Sequence, residues 1–232
     1  MPQFKLDGLI IKIPRKCMNE NIRESIERGG YELNEFRALT RHLKSDDRVL
    51  DLGGGAGFVA LQAARVVGAE NVTAVEANPD MFKAIGANAV KNGFEAMKVI
   101  QGAVVSDDFS DDTVTFELLP GFWASAISED GTKRRKASKL ITAPALKFGD
   151  LQARARPTVI SMDIEGAEAD LAGCAWWPET RIVIMEIHPQ HYGPHALRQL
   201  IMDMFANGFG WMPWGSRGSV VVFERLDDAP EQ

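Results

Sequence analysis

Residues 49–57 read Val-Leu-Asp-Leu-Gly-Gly-Gly-Ala-Gly, a short apolar run that ends in a glycine-rich loop. The run Arg48–Leu52 predicts a buried strand, and the apolar face of Phe58–Val67 predicts a helix directly after the loop. Glycines between a strand and a helix let the backbone turn sharply and let a ligand lie against the main chain. The stretch therefore predicts a ligand-binding loop at the carboxyl end of a buried strand.

The alternation of buried strands and helices continues on both sides of this loop. Helices are predicted over 32–43, 79–92, 167–173 and 197–206, and further strands over 72–76, 98–100, 158–163, 181–186 and 218–225. Strands that are apolar nearly throughout are covered on both faces, which is typical of a parallel α/β sheet. We therefore predict a doubly wound, Rossmann-like, mostly parallel sheet with helices on both faces and a ligand crevice at the carboxyl ends of its strands.

Two segments interrupt this rhythm, and both predict additions to a single domain that spans residues 1–232. Residues 4–13 predict a short N-terminal strand inside an extension that covers 1–30. Residues 107–148 predict a β-rich insertion or lid, because Thr113–Leu118 alternates like an antiparallel strand. The basic run Lys133–Lys136 is typical of a solvated loop; alternatively it contacts an acidic substrate as part of a lid.

The composition favours a globular protein with small-molecule partners. The chain has 232 residues, of which 45% are apolar, and a net charge of −6 at pH 7. An acidic chain lacks the positive surface expected of a dedicated binder of nucleic acid or of anionic membranes. Its apolar runs are too short to cross a bilayer, its N-terminus lacks the pattern of a signal peptide, and its two cysteines form no disulfide framework. We therefore predict a cytoplasmic location and no nucleic-acid or membrane partner; the oligomeric state stays open.

The glycine loop differs from the dinucleotide-binding pattern. In a G-x-G-x-x-G motif that begins at Gly53, the last glycine is replaced by Phe58, which disfavours a nicotinamide-dependent oxidoreductase. Asp51 would repel a phosphate but suits an ammonium group, and Glu76 at the end of the next strand can accept both hydroxyls of a ribose. A nucleoside joined to an amino acid carries both groups. The residues therefore predict S-adenosylmethionine as the cofactor.

Five stretches resemble the class I S-adenosylmethionine-dependent methyltransferases and, more narrowly, the FkbM-type family. They are Tyr31-Glu32, Val49–Gly57, Val75–Pro79, Met162–Glu168 and Glu186–Pro189, within a match that spans about residues 30 to 225. The glycine motif is specific to the superfamily, and Asp163–Glu168 is more specific to the family. The resemblance implies a methyltransferase domain with the doubly wound fold.

The resemblance also implies which residues meet the cofactor. Gly53 and Gly55 would lie against its methionine portion, Glu76 would hold the ribose, residues 102–104 would border the adenine, and Glu32 would approach the amino-acid end. The complete predicted set is Glu32, Asp51, Gly53, Gly55, Gly57, Glu76, Ala77, Ala103, Val104 and Asp163.

Methyl transfer from a sulfonium is a direct displacement that mainly needs alignment of the reacting atoms. A hydroxyl acceptor also benefits from a general base, whereas a carboxylate acceptor needs none. We predict His188 as that base and Asp163 as a contact for the ammonium group or a second proton acceptor. Alternatively, His188 is tied to a loop carbonyl, and Glu165 and Glu168 only cap the following helix.

Two further clusters leave alternatives open. His188, His191 and His195 could bind a metal beside Glu186, but Pro189 and Pro194 argue against one regular helix, and no metal is predicted. Tryptophans concentrate late in the chain and are expected mostly in the core, with a minority flooring an acceptor pocket. They are Trp176, Trp177, Trp211 and Trp214, with Trp123 in the insertion as a further candidate.

Together these residues predict an S-adenosylmethionine-dependent O-methyltransferase that acts on a hydroxyl of a small molecule or glycan. Two alternatives remain: a non-catalytic protein of the same fold that binds the cofactor, and a carboxylate O-methyltransferase. The identity of the acceptor is not specified by the sequence.

Overall fold

The computed structural model describes residues 1–119, 126–127 and 138–226. Trp123 and Lys133–Lys136 lie outside the described residues. The strands are β1 (Gln3–Leu6), β2 (Leu9–Lys12), β3 (Val49–Leu52), β4 (Val72–Glu76), β5 (Lys98–Gln101), β6 (Ala103–Val105), β7 (Thr113–Leu118), β8 (Ala126–Ile127), β9 (Lys139–Lys147), β10 (Val159–Met162), β11 (Ile182–Glu186), β12 (Phe209–Arg217) and β13 (Val220–Arg225). The helices are α1 (Glu20–Glu27), α2 (Leu33–His42), α3 (Phe58–Val67), α4 (Pro79–Lys91), α5 (Phe148–Ala155), α6 (Glu168–Leu171) and α7 (Pro189–Ala206).

The central sheet has seven strands in the order β12-β13-β11-β10-β3-β4-β5. The five strands from β11 to β5 run parallel, whereas β13 is antiparallel to both β11 and β12. Within the central sheet, the chain passes first through β3, continues outward to β4 and β5, and then returns to β10 on the other side of β3. This reversal creates a crevice at the carboxyl ends of β3 and β10, where open α/β sheets bind ligands.

Successive residues of the central strands face opposite sides of the sheet and enter two separate cores. Val49 packs with residues of α2, α3 and α4, whereas its neighbour Leu50 packs with residues of α5, α6 and α7. In β11, Ile184 and Met185 divide in the same way. Helices therefore cover both faces, and the predicted doubly wound, mostly parallel sheet is confirmed.

The N-terminal segment is a hairpin, so the prediction of one strand there was wrong. β1 and β2 pair in antiparallel fashion around Asp7 and Gly8, whose φ angles are 42° and 84°. Two consecutive left-handed residues give the tight turn that joins such strands. Two asparagines fasten the hairpin to α4: Asn92 bonds both backbone groups of Ile10, and Asn88 bonds both backbone groups of Lys12. Asn88 also donates to the Ala56 carbonyl, so the hairpin is linked directly to the glycine loop.

The insertion contains the predicted strand over Thr113–Leu118 and a longer partner, β9. Together with β6 and β8 these strands form a small sheet in the order β6-β9-β7-β8. The pattern had not predicted β9, β12, α1 or α5. In β12, Gly210, Pro213 and Gly215 interrupt the apolar alternation by which a strand is found in a sequence.

The tryptophans divide between core and surface. Trp176 is buried between Phe148 and Phe209, as expected of a core residue. The same expectation was wrong for Trp211 and Trp214, which are 51% and 63% exposed on β12. Among the described residues, no helix combines the length and the apolar character needed to cross a membrane.

Candidate functional site

A cleft of about 660 Å³ opens at the carboxyl ends of β3, β4 and β10. The small sheet of the insertion closes one side of it through Phe116 and Ile127. The remaining lining residues are Glu32, Gly53, Gly55, Val75, Glu76, Ala77, Gly102, Ala103, Val104, Asp163, Ile164, Glu165 and Ala167.

The glycine loop presents bare main chain to this cleft. The N–H groups of Gly53 and Gly54 both donate to the Val75 carbonyl, which fixes the loop against β4. Gly53 has a φ of 84°, and a Cβ atom at this position would stand 1.7 Å from the Asp163 carbonyl oxygen. Only glycine fits there, because any side chain would push β3 and the end of β10 apart.

Glu76 is fixed before any ligand arrives. One of its carboxylate oxygens accepts from the Gly55 N–H at 2.8 Å and the other from the Asn78 N–H at 2.7 Å. Each oxygen keeps a lone pair for a further donor. Burial raises the pKa of Glu76 to about 7 in spite of these two hydrogen bonds. The carboxylate is therefore poised to accept a pair of hydroxyl groups.

The opposite end of the cleft is acidic and incompletely satisfied. Among the described residues, Glu32 Oε2 and Asp163 Oδ1 are buried atoms with no hydrogen-bond partner. Burial raises the pKa of both carboxyls well above their ordinary values, since neighbouring acids add to the cost of charge. Glu32 and Glu165 also adopt left-handed backbone conformations, with φ of 46° and 54°. Strained residues and orphaned acceptors mark this end as a binding site for a cation.

His188 lies behind the acidic end. Its Nδ1 is 3.0 Å from Glu168 Oε1, and its backbone N–H donates to the same oxygen. Its Nε2 lies 3.6 Å from Asp163 Oδ1 and 3.4 Å from Glu165 Oε2, two residues that line the cleft. Burial opposes protonation of the ring, but the hydrogen bond to Glu168 and the nearby carboxylates outweigh it and raise the pKa of His188. The ring is thus held in one orientation with Nε2 toward the cleft.

Glu168 acts as a support for this histidine. It is completely buried, and its second oxygen accepts from the Gly166 N–H at 2.8 Å. Helix capping alone therefore does not describe Glu168, because its Oε1 binds the ring and the backbone of His188. The alternative in which His188 is tied to a loop carbonyl is not what the structure shows: the ring binds a carboxylate.

Two further acids, Glu35 and Glu186, belong to the cluster around Asp163 and His188 and were not predicted to take part in proton transfer. Glu35 of α2 is buried, and its pKa is raised to about 7, by burial first and then by the neighbouring Glu186. Glu186 Oε1 accepts from Ser219 Oγ at 2.7 Å. Glu35 gives no signal in the sequence, because it reaches the cluster only through the packing of α2 beside β11.

Eight of the ten predicted cofactor residues line the cleft: Glu32, Gly53, Gly55, Glu76, Ala77, Ala103, Val104 and Asp163. Asp51 and Gly57 are not among its lining residues. Asp51 lies beneath the loop, where a Cβ at Gly54 would stand 3.3 Å from its Oδ2, so a direct ammonium contact is not supported. Gly57 has a φ of 86° and directly precedes α3 as its N-cap, so this glycine serves the turn into the helix.

Three residues of the cluster could also hold a metal ion. Ligand atoms of Asp163, Glu186 and His188 all lie within 4.8 Å of one another. The three-histidine site considered from the sequence is not the group that the structure assembles, since that group lacks both His191 and His195. α7 is interrupted at Gly193, as its two prolines indicated.

The buried acids give a prediction for stability. We expect the ligand-free protein to lose stability as pH rises from about 5 to about 8, with a fall in melting temperature of roughly 5 °C or more. Burial raises the pKa of Asp51, Glu76 and Glu35 to about 7 from ordinary values of 3.8, 4.5 and 4.5. Between those values the folded chain holds protons that the unfolded chain has lost, so a higher pH favours unfolding. The raised pKa of His188 acts in the same direction.

Thermal unfolding followed by circular dichroism at constant ionic strength would measure this slope. Glu76→Gln removes one of the responsible groups and should make the slope shallower. A melting temperature that is flat or rises over this interval would contradict the assignment of these acids as protonated near neutral pH.

Known proteins that resemble this chain include methyltransferases. Residues 49–130, about a third of the chain, match the sequence profile of the family described as a methyltransferase domain. An uncharacterized protein of Methanocaldococcus jannaschii is 36% identical over 84 residues, which are 35% of this chain and 32% of that protein. The ribosomal protein L11 methyltransferase of Thermus thermophilus is 40% identical over 58 residues, 25% of this chain and 22% of that protein. The chain therefore spans a third or less of the length of the curated relatives it matches.

Among solved structures, M. jannaschii TYW2 in complex with AdoMet matches with a TM-score of 0.50 at 13% identity, over 97% of this chain and 86% of that chain. At this level of identity, the match shows a shared fold and nothing about the substrate. The strand order, the glycine loop and the matched domain together give this protein the fold of the class I S-adenosylmethionine-dependent methyltransferases. S-adenosylmethionine is the cofactor that this fold implies, and the orphaned oxygens at one end of the cleft and Glu76 at the other fit its two polar ends.

Proposed function

We propose that this protein is an S-adenosylmethionine-dependent O-methyltransferase of the FkbM type, acting on a hydroxyl group of a small molecule or glycan. One observation carries the proposal: a single cleft has a hydroxyl-accepting carboxylate at one end and buried carboxylate oxygens that accept no hydrogen bond at the other. A ribose diol suits Glu76, and an ammonium group suits Glu32 and Asp163. The glycine loop lies between them with no side chain in the way.

Bound S-adenosylmethionine supplies an electrophilic methyl group on a sulfonium, and the chain supplies grip and orientation. Glu76 would hold the ribose with the lone pairs that its backbone donors leave free. Ala103 and Val104 would border the adenine, beside Phe116 of the insertion. Apolar walls of this kind exclude water, which strengthens every polar contact inside the cleft.

The acceptor hydroxyl would be activated by His188. The hydroxyl proton would go to Nε2, and the acceptor oxygen would then receive the methyl group that S-adenosylmethionine would supply. Glu168 holds Nδ1 and stabilises the positive ring that results. Asp163 lies 3.6 Å from Nε2 and also touches the glycine loop, so it links the proton acceptor to the cofactor site.

Several likenesses support this proposal without fixing the acceptor. The matched domain is described as a methyltransferase domain, and the acidic stretch Asp163–Glu168 resembles the FkbM-type family. The name of the L11 methyltransferase gives a ribosomal protein as its substrate, but this chain covers only 22% of that enzyme. The choice of a hydroxyl acceptor depends on the presence of a supported histidine base, which a carboxylate acceptor would not need.

Isothermal titration with S-adenosylhomocysteine tests the cofactor site. We expect saturable binding in the wild type and a weakening of at least tenfold in Glu76→Ala, since the ribose loses its acceptor. Glu95→Ala, an exposed change outside the cleft, should leave the affinity unchanged. No saturable heat at millimolar ligand would contradict the proposal.

A second arm tests the reaction itself. Labelled methyl transfer to a panel of hydroxylated metabolites and glycans is expected, and transfer to carboxylates alone would overturn the choice of acceptor. Binding without any transfer would favour a non-catalytic cofactor-binding protein. Transfer that a chelator abolishes and magnesium restores would reassign Asp163, Glu186 and His188 from proton transfer to metal binding.

A further inference from the structure

A positively charged groove lies on the surface beside the acidic end of the cleft. Its space, which is open to solvent, measures about 500 Å³, and its lining residues are Asn34, Arg37, Arg41, Gly215, Ser216 and Arg217. No carboxylate is among these lining residues. The groove thus concentrates positive charge on a chain whose net charge is −6.

The helix and the strand that form the groove place the arginines around a common space. Asn34, Arg37 and Arg41 are three and four positions apart and therefore share one face of α2. Arg217 stands opposite, at the end of β12. His42 Nε2 lies 2.8 Å from the Trp214 carbonyl, which holds the strand against the helix.

The three arginines of the groove make no ion pair within the described part of the chain. By contrast, four other arginines each have a carboxylate partner: Arg28, Arg48, Arg65 and Arg181. Arg37, Arg41 and Arg217 are all exposed. Their guanidinium groups are therefore available to an external anion.

The groove adjoins the residues proposed for acceptor activation. α2 begins directly after Glu32, which lines the cleft. Asn34 Nδ2 lies 3.7 Å from where a Cβ would stand at Gly218, and the next residue, Ser219, bonds Glu186 of the acidic cluster. One end of the groove therefore lies near the acidic cluster that surrounds His188.

We propose that this groove binds the phosphate of a small phosphorylated acceptor, whose hydroxyl then reaches the His188 end of the cleft; this rests on the proposed function. Guanidinium groups match phosphate oxygens in geometry and charge, often through two parallel hydrogen bonds. No arginine or lysine is among the described residues that line the cleft, so the two regions orient the acceptor in one direction: phosphate toward the arginines and hydroxyl toward the acids.

The dimensions of the groove favour a small ligand over a polymer. Arg37 and Arg41 are one helical turn apart, which places their Cβ atoms about 6 Å from each other. That span suits one or two phosphoryl groups. A long polyanion would have to lie across a surface of net negative charge, which weakens its binding.

Pyrophosphate is the probe for a direct test, by titration calorimetry on the full chain at low salt. We expect saturable millimolar or tighter binding in the wild type. The double variant Arg37→Glu/Arg41→Glu and the single variant Arg217→Glu should each bind at least tenfold more weakly. Arg23→Glu, an exposed change on α1, is the matched control and should leave binding unchanged.

The possible outcomes separate this inference from the proposed function. Absence of pyrophosphate binding, or equal binding in the double variant, overturns the groove as a phosphate site. A single-stranded oligonucleotide that binds more tightly than pyrophosphate, with steep salt dependence, overturns the small acceptor. The affinity for S-adenosylhomocysteine should stay within twofold of the wild-type value in all variants. If the wild-type protein did not bind S-adenosylhomocysteine, the proposed function would be overturned, whereas pyrophosphate binding would still test the groove.

Discussion

Gly53→Ala is expected to abolish measurable binding of S-adenosylhomocysteine, a loss of more than a hundredfold in affinity. The added Cβ would stand 1.7 Å from the Asp163 carbonyl oxygen, a distance that no packing adjustment of a side chain can relieve. The backbone of the loop or of the segment after β10 must move, and both carry residues of the cleft. Titration calorimetry measures the loss, and circular dichroism reports whether the fold persists.

Gly86→Ala is the matched control for this change. Gly86 lies inside α4, and a Cβ there meets nothing within 4 Å. The substitution should leave ligand affinity unchanged and raise the stability slightly, because alanine is the better helix former. Wild-type affinity in a folded Gly53→Ala protein would show that the loop does not hold the ligand.

His188→Ala is expected to lower methyl transfer by roughly a hundredfold to ten-thousandfold, the usual contribution of a general base. S-adenosylhomocysteine affinity should change by less than about threefold, since His188 is not among the residues proposed to hold the cofactor. Single-turnover kinetics with labelled cofactor and an acceptor from the panel would measure both quantities.

A second variant guards against a simple loss of structure. His188→Gln can keep a donor toward the buried Glu168 carboxylate while it lacks a titrating nitrogen. Both variants should lose the dependence of turnover on the ionisation of the imidazole, whereas a merely structural histidine would leave the pH profile in place. Full activity in either variant would exclude His188 from the mechanism and favour Asp163 or a base-free acceptor.

Much of the fold could be predicted because it depends on local patterns. The helix Phe58–Val67 and the strand Val72–Glu76 have the predicted bounds, since apolar periodicity and glycines define them within a few residues. β12 could not be found in the same way, because its glycines and proline carry no alternation. Its place at the edge of the sheet comes from pairing with β13, a contact between segments that the pattern does not connect.

The site was predictable where it follows from the ends of strands, and less so where side-chain direction matters. Leu50 and Leu52 face the α5–α7 side, so the alternation of β3 turns Asp51 to the other face with Val49, underneath the glycine loop. The sequence motif alone does not show which side of the sheet Asp51 faces. Glu35 and Glu186 meet only through the packing of α2 against β11, which no spacing in the sequence reveals.

The hairpin at the start of the chain is part of the machinery that shapes the cleft. Asn88 is fully buried and divides its hydrogen bonds between Lys12 of the hairpin and Ala56 of the glycine loop. Proteolytic removal of residues 1–12 would leave its buried amide with one of these three hydrogen bonds, next to the glycine loop of the cleft. Such cleavage would lower the affinity of the cleft for its ligand. A bound ligand would in turn protect residues 1–12 from digestion, because it stabilises the folded form.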